Sequence, residues 1–106
     1  MASTLKSLKL LSDPTRLRIL MLLIQDSLSV AELQEILNMG QSRISTQLSQ
    51  LKTGGLVSDE RSGKNNIYSC SAGEEIMKVA RLAASELPEM TADQAAIRHL
   101  LRKRKD

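Results

Sequence analysis

The sequence predicts a mainly α-helical fold carrying one small β-hairpin. Three observations lead there. Apolar residues recur at helical spacing in six separate runs. One pair of short extended segments flanks a Gly/Asn-rich turn. Aromatic side chains are almost absent, Tyr68 being the only one in 106 residues. A core of Leu, Ile, Val, Met and Ala suits packed helices better than aromatic-rich sheets. The length fits one domain, and 42% hydrophobic with 25% charged residues is a globular balance rather than a disordered one.

The elements follow in order. Residues 3–11 place Leu5, Leu8, Leu10 and Leu11 against Lys6 and Lys9, a short amphipathic helix. Asp13 is a good N-cap and Pro14 suits the first helical position, so a second helix starts there and runs to about Ile24. Leu17, Leu20, Met21 and Ile24 form its apolar face. Ser29 and Glu32 have capping-box spacing and open a third helix to about Leu37, with Leu33, Ile36 and Leu37 inward. Asn38-Met39-Gly40 breaks that run. A fourth run, Gln41 to Thr53, turns Ile44, Leu48 and Leu51 inward and stops at Gly54-Gly55. Two helices joined by so short a turn make a helix-turn-helix. Leu56 to Arg61 and Asn66 to Cys70 are strands around Ser62-Gly63-Lys64-Asn65. Ile76, Ala80, Ala83 and Leu87, widened by Met77 and Ala84, then form a helical stripe that Pro88 ends. A last helix covers about Ala92 to Arg102. The order is helix, helix, helix, turn, helix, hairpin, helix, helix. Residues 1–90 read as one domain and 91–106 as a C-terminal helix with a basic tail.

Composition narrows the function classes. No apolar run approaches the roughly 18 residues that span a membrane. No secretion signal is evident, and one cysteine, Cys70, excludes an internal disulfide framework, so a reducing cytoplasm is the expected compartment. The net charge is +3, yet residues 1–97 hold ten Lys/Arg against eleven Asp/Glu. The excess comes from Arg98, Arg102, Lys103, Arg104 and Lys105, set against Asp106. Bulk charge therefore says little about the folded core, and the case rests on local pattern. One His and one Cys at separated positions make no nucleophilic or metal-binding set, and no Gly-rich phosphate loop occurs, so neither an enzyme nor a cofactor is expected. Asp59-Glu60 and Glu74-Glu75 read as solvated strand-end and helix-start acids.

The strongest local feature is the outward face of the fourth run. It presents Ser42, Arg43, Ser45, Thr46, Gln47, Ser49, Gln50 and Lys52, with Gln41 at its start, and no Asp or Glu occurs from Ile36 through Ser58. Carboxylates would be repelled by phosphates, so an acid-free face suits a helix in a DNA groove. Arg can pair with guanine and Gln with adenine, while Ser and Thr meet phosphates. Arg61 and Lys64, with Asn65 and Asn66, give the hairpin tip a composition that could touch the DNA backbone. The competing readings are a solvated polar helix face and a turn selected only for backbone geometry.

Leu11-Ser12-Asp13-Pro14-Thr15-Arg16-Leu17-Arg18-Ile19-Leu20 resembles the opening signature of the ArsR-type (ArsR/SmtB) winged helix-turn-helix repressors. Gln41-Ser42-Arg43-Ile44-Ser45-Thr46-Gln47-Leu48, followed by Leu51 and Gly55-Leu56-Val57, resembles that family's recognition helix and wing entry. The match covers about residues 5–72. The resemblance implies a cytoplasmic homodimer that binds a palindromic double-stranded DNA operator and represses transcription. Beside Gln50, Lys52, Arg61 and Lys64, which the outward face and the hairpin composition already offer as DNA contacts, it places Gln41, Ser42, Arg43, Ser45, Thr46 and Gln47 on the DNA. It places Leu5, Leu8, Ile76, Ala80, Ala83 and Leu87 in the dimer interface, and two-fold symmetry sets the two recognition helices about 34 Å apart. The family's metal sensors use cysteines on the third helix or Asp/His/Glu sets after the wing. Here residues 28–37 hold no Cys or His, so no metal site is expected, and any inducer is unidentified. Gln47 stands where many members carry His, which alters sequence preference rather than binding. Cys70 reads as a small residue ending a wing strand and His99 as a surface residue. Ala92 to Lys105 resembles the linker where this module is fused to methyltransferases, though no cofactor loop follows. The rival function is a winged helix that binds a protein partner instead of DNA.

Overall fold

A computed structural model describes residues 3–105. Met1, Ala2 and Asp106, which end the two expected segments 1–90 and 91–106, lie outside the described residues. The elements run α1 (Thr4–Leu11), α2 (Pro14–Gln25), β1 (Leu28–Ser29), α3 (Val30–Leu37), α4 (Gln41–Thr53), β2 (Val57–Ser62), β3 (Asn65–Cys70), α5 (Glu74–Ala84) and α6 (Met90–Lys105).

Helix starts follow from capping chemistry. Asp13 accepts the backbone N–H of Arg16 at 3.1 Å, ahead of Pro14. Ser29 and Glu32 form both halves of a capping box, at 3.2 and 2.9 Å. Asn38 turns the chain out of α3 in the left-handed region, φ 54°, where Asn is among the few tolerated side chains. Gly55, φ 79°, turns it out of α4.

α2 is the centre of the core. The sequence predicts one apolar face, but Leu17, Ile19, Leu20, Met21, Leu22 and Leu23 are all buried. The helix contacts α1, α4, α5, α6 and β3, so no side of it faces water for long. Ile44, Leu48 and Leu51 seat α4 on this core with no exposure at all.

The sheet departs from expectation in two ways. Its turn is tighter than the four residues predicted: Ser62 pairs with Asn65, leaving Gly63-Lys64 as a two-residue loop. Gly63 has φ 62° and no positive φ occurs at Lys64, the signs of a II′ turn. A third strand joins as well. β1 pairs antiparallel with β3, Leu28 opposite Tyr68 and Ser29 opposite Ile67, giving the order β1-β3-β2. Two residues are too few to show a strand period in sequence.

After the wing the boundaries shift. α5 ends at Ala84, with Ser85 as its cap and its hydroxyl donating to the Leu82 carbonyl at 2.7 Å. Leu87 therefore lies beyond the helix that the stripe from Ile76 was expected to form. α6 begins at Met90 and continues to Lys105, longer than predicted. It packs on α2 and α3, and Ile97 and Leu100 belong to the common core, so the C-terminal segment is integrated with the rest.

Two ion pairs fasten α6. Arg18 of α2 donates to both carboxylate oxygens of Asp93, at 2.8 and 2.9 Å, and Asp93 is only 4% exposed. Arg104 reaches α3, donating to the two Glu32 oxygens at 2.9 and 2.6 Å and to the Ser27 carbonyl at 2.9 Å. Its other nitrogen lies 3.7 Å from Asp26. One cation of the expected basic tail is thus spent inside the fold.

Two outcomes test these fastenings. Asp93→Ala leaves the mostly buried Arg18 guanidinium without its acceptors, and the expected loss is about 3 kcal/mol. A lower urea midpoint at unchanged slope is the measurement; an unchanged midpoint refutes the role. Glu32 concerns pH. Burial pushes its carboxyl upward, but the Arg104 guanidinium and the Ser29 donors outweigh that and hold it below the ordinary value. A carboxyl lowered in the folded state contributes stability above its unfolded pKa and loses it as pH falls through the folded value. Glu32→Gln is therefore expected to be less stable at neutral pH and to lose less between about pH 5 and pH 3 than the parent chain. Parallel melting curves of the two proteins across that range would argue against it.

Candidate nucleic-acid interface

α4 projects from the core because its inward residues recur at four and three positions, which fixes its outward face by helical geometry. Gln41, Ser42, Arg43, Thr46, Ser49, Gln50 and Lys52 are exposed, and Ser45 and Gln47 are half-buried. The expected DNA-facing set therefore does lie together on the outside of one helix. Ser42 and Thr46 sit outermost, opposite Ile44, Leu48 and Leu51.

Hydrogen bonds organise this face before any partner arrives. Gln41 donates its amide to the Ser45 hydroxyl at 2.8 Å, one turn on. Arg43 donates to the Thr15 hydroxyl at 3.0 Å, which tethers one guanidinium nitrogen to the start of α2. Arg16 is the larger organiser. Its Nε donates to the Leu10 carbonyl at 2.7 Å, and one Nη donates to the side-chain oxygens of Gln47 at 3.0 Å and Gln50 at 2.7 Å. One guanidinium thus joins the end of α1, the start of α2 and the middle of α4. With their oxygens held, Gln47 and Gln50 present amide N–H groups outward, donors suited to base or phosphate acceptors.

Thr15 and Arg16 are absent from the sequence-based contact set. They follow the Asp13-Pro14 cap directly, and that position marks them as first-turn residues of α2. Nothing in the sequence says that this turn lies against α4.

Lys52 stands apart from the rest. Its ammonium is 2.7 Å from Asp59 on β2, and that carboxylate raises its pKa. The acid-free window in sequence ends at Ser58, and folding brings the next residue beside the end of α4. Lys52 is thus directed to the wing side rather than to the open face. At the hairpin, Arg61 folds over the turn and donates to the Gly63 carbonyl at 3.0 Å, while Lys64 is exposed at the tip.

The expected dimer residues divide. Leu5 and Leu8 are exposed, at 79% and 39%. Ile76, Ala83 and Leu87 are half-buried against their own core. Ala80 has no exposure and offers no surface to a partner: with Ala84 it faces the protein's own core. The helix instead exposes Val79 and Leu82, the latter 74% exposed, each one position before a residue of the predicted stripe. A stripe of small residues in sequence marks close packing without saying against what.

Cys70 is half-buried at the end of β3 and His99 is exposed on α6. Among the described residues no three His, Cys, Asp or Glu side chains gather, and no helix is long and apolar enough to cross a membrane.

Comparison with known proteins agrees with this architecture. Residues 13–59 match the family described as bacterial regulatory protein, arsR family. The chain is 35% identical over 95 residues to the uncharacterised HTH-type transcriptional regulator Rv0081 of Mycobacterium tuberculosis, covering 89% of this chain and 82% of that protein. Its crystal structure superposes with a TM-score of 0.65 over 84% of this chain and 89% of that one, at 33% identity. Reduced HlyU from Vibrio cholerae, named a transcriptional activator, gives a TM-score of 0.68 at 32% identity, covering 74% of this chain and 81% of that one. The homodimeric winged helix-turn-helix DNA-binding domain of Mb0332 from Mycobacterium bovis gives 0.65 at 31%, covering 79% and 77%. With a short-turn helix pair, a hairpin wing and these relatives, the chain belongs to the ArsR family of bacterial regulatory proteins and is a winged helix-turn-helix transcriptional regulator.

Proposed function

We propose that this regulator is a dimeric cytoplasmic repressor that reads a palindromic operator with α4 in the major groove and the β2–β3 wing against the backbone. The observation that carries this reading is the outward face of α4. It is rich in hydrogen-bond donors and free of carboxylates along its open side, and three fully buried residues fix it from behind. A rigid helix of that chemistry matches base edges flanked by phosphates. Ser42, Arg43, Thr46, Gln47 and Gln50 are the candidate contacts to base edges and phosphates, and Lys64 the tip of the wing.

Dimerisation follows from α1 and α5, which pack together and each expose an apolar pair three residues apart: Leu5 with Leu8, and Val79 with Leu82. Two adjacent helices with unburied leucines are a poor surface for a monomer and a good one for a second copy. The homodimeric form of the related Mb0332 domain supports the same reading. A dimer covering two half-sites one helical turn apart would exclude polymerase from the promoter, hence repression.

An operator selected from a random duplex pool supplies the test. A palindrome is expected, and failure to select any sequence would favour the protein-interaction reading. On that operator Arg43→Ala is expected to weaken binding by about 1–3 kcal/mol, roughly five- to 150-fold in Kd, with the dimer intact; unchanged affinity would show that α4 is wrongly placed on the DNA. Leu82→Glu is expected to give a folded monomer by sedimentation and to lose cooperative operator binding. A dimer that survives the substitution refutes the α1–α5 interface. Expression from a promoter carrying the operator should rise when the gene is deleted; a fall would make the protein an activator.

A further inference from the structure

A second surface bearing cations adjoins the reading face of α4, sharing Arg16, Ser49 and Gln50 with it, and lies away from the wing. An open cleft of about 510 Å³ separates α1 from the C-terminal half of α4, lined in part by Lys6, Lys9, Arg16, Ser49 and Thr53. Leu10 and Gly54 also line it, and a Cβ on Gly54 would displace the end of the Leu10 side chain. Among the described residues no carboxylate lines the cleft. Asp13 stands off its rim, 3.9 Å from Arg16. Apart from that long ion pair, Arg16 is held by the neutral oxygens of Leu10, Gln47 and Gln50.

We infer that this cleft holds backbone phosphates of the duplex, on the flank of α4 opposite the wing. The inference rests on α4 being the recognition helix. A helix in the major groove has a phosphate backbone on each side. The angular positions on α4 assign the two flanks. Lys52 meets β2 through Asp59, whereas Gln50 meets α2 through Arg16. At 3.6 residues per turn those two positions are about 200° apart, so the open face lies between the wing and the α1/α2 side. The wing supplies Arg61 and Lys64 to one strand. Lys6, Lys9 and Arg16 are the corresponding cations for the other, and the hydroxyls of Ser49 and Thr53 are neutral donors within the same cleft. Lys9 also lies in the last turn of α1, where the helix dipole alone favours a cation. That does not account for Lys6, which sits one turn earlier and repels it at i, i+3 spacing unless an anion intervenes.

The test is the salt dependence of duplex binding by the full chain, with Lys6→Gln/Lys9→Gln as the variant. Both lysines are exposed, so the fold should survive, with melting and dimer mass as checks. Affinity is expected to fall equally for the selected operator and a scrambled duplex, because phosphate contacts carry no sequence information. The slope of log K against log salt should become shallower by about 0.9 for each phosphate that is no longer neutralised, hence by about two to four for a symmetric dimer. A control, Lys103→Gln/Lys105→Gln, removes the same charge from α6 and should leave the slope unchanged. An unaltered slope in the α1 variant overturns the inference. So does an equal change in the control, which would reduce the effect to net charge, or a loss confined to the operator. If the parent chain binds no duplex at all, the recognition-helix reading itself has failed, a result distinct from all three.

Discussion

The structure depends on α2 being buried on nearly every side. Leu17, Leu20 and Met21 supply the face that an amphipathic helix would have, and Ile19, Leu22 and Leu23 supply the rest. A helix that is apolar all round is stable only when other elements enclose it. α1, α4, α5, α6 and β3 do so, and each is oriented by the side chains it lays on α2. The polar groups of α2 are confined to its first turn and its rim, where they serve as connectors. Thr15 and Arg16 tie it to α4, and Arg18 ties it to Asp93 of α6. The helix that contributes least to the outer surface therefore decides where the outer surface points.

Much of this is legible in the sequence because it is local. The Asp13-Pro14 cap, the Ser29–Glu32 box, the Gly54-Gly55 stop and the spacing of Ile44, Leu48 and Leu51 act within a few residues. Each sets a boundary or a face that the structure reproduces. Pairing across the chain is not legible in that way. β1 is a strand only because Tyr68 and Ile67 lie beside it. Ala80 is expected at a dimer interface because alanine at helical spacing signals close approach, yet the surface it approaches is its own core. In sequence Arg104 reads as part of a solvated tail, and Glu32 as a capping residue alone. Their meeting across more than seventy residues is invisible to any periodicity.

The same distinction explains the candidate site. That α4 has an open polar face follows from the inward spacing. How its side chains are held follows from Arg16, Thr15 and Asp59, none of which belongs to α4. Holding matters for recognition. A glutamine free to rotate can offer either its oxygen or its amide to a base edge. One whose oxygen already accepts from a guanidinium keeps its amide donors and one lone pair in a fixed orientation, and part of the entropy of fixing it has been met during folding rather than on binding. Gln47 and Gln50 are in that condition. Arg16, a residue outside α4, thus orients two side chains of its outward face.

Charge is partitioned in the same way. The chain carries a net +3, and its C-terminal cations suggest a basic tail reaching for a polyanion. Arg104 instead folds back onto Glu32 and Asp26, and Lys52 is neutralised by Asp59. The cations left facing outward beside α4 are therefore few and placed: Arg43 on its face, Lys64 at the wing tip, Lys6 and Lys9 along α1. A uniformly basic surface would bind any duplex in any register. Where cations stand on the two flanks of one helix, binding is favoured when that helix lies along the groove, because that orientation brings them to phosphates. Pairing of Arg18, Lys52 and Arg104 with carboxylates of the fold is thus part of how it limits the ways in which it can meet DNA.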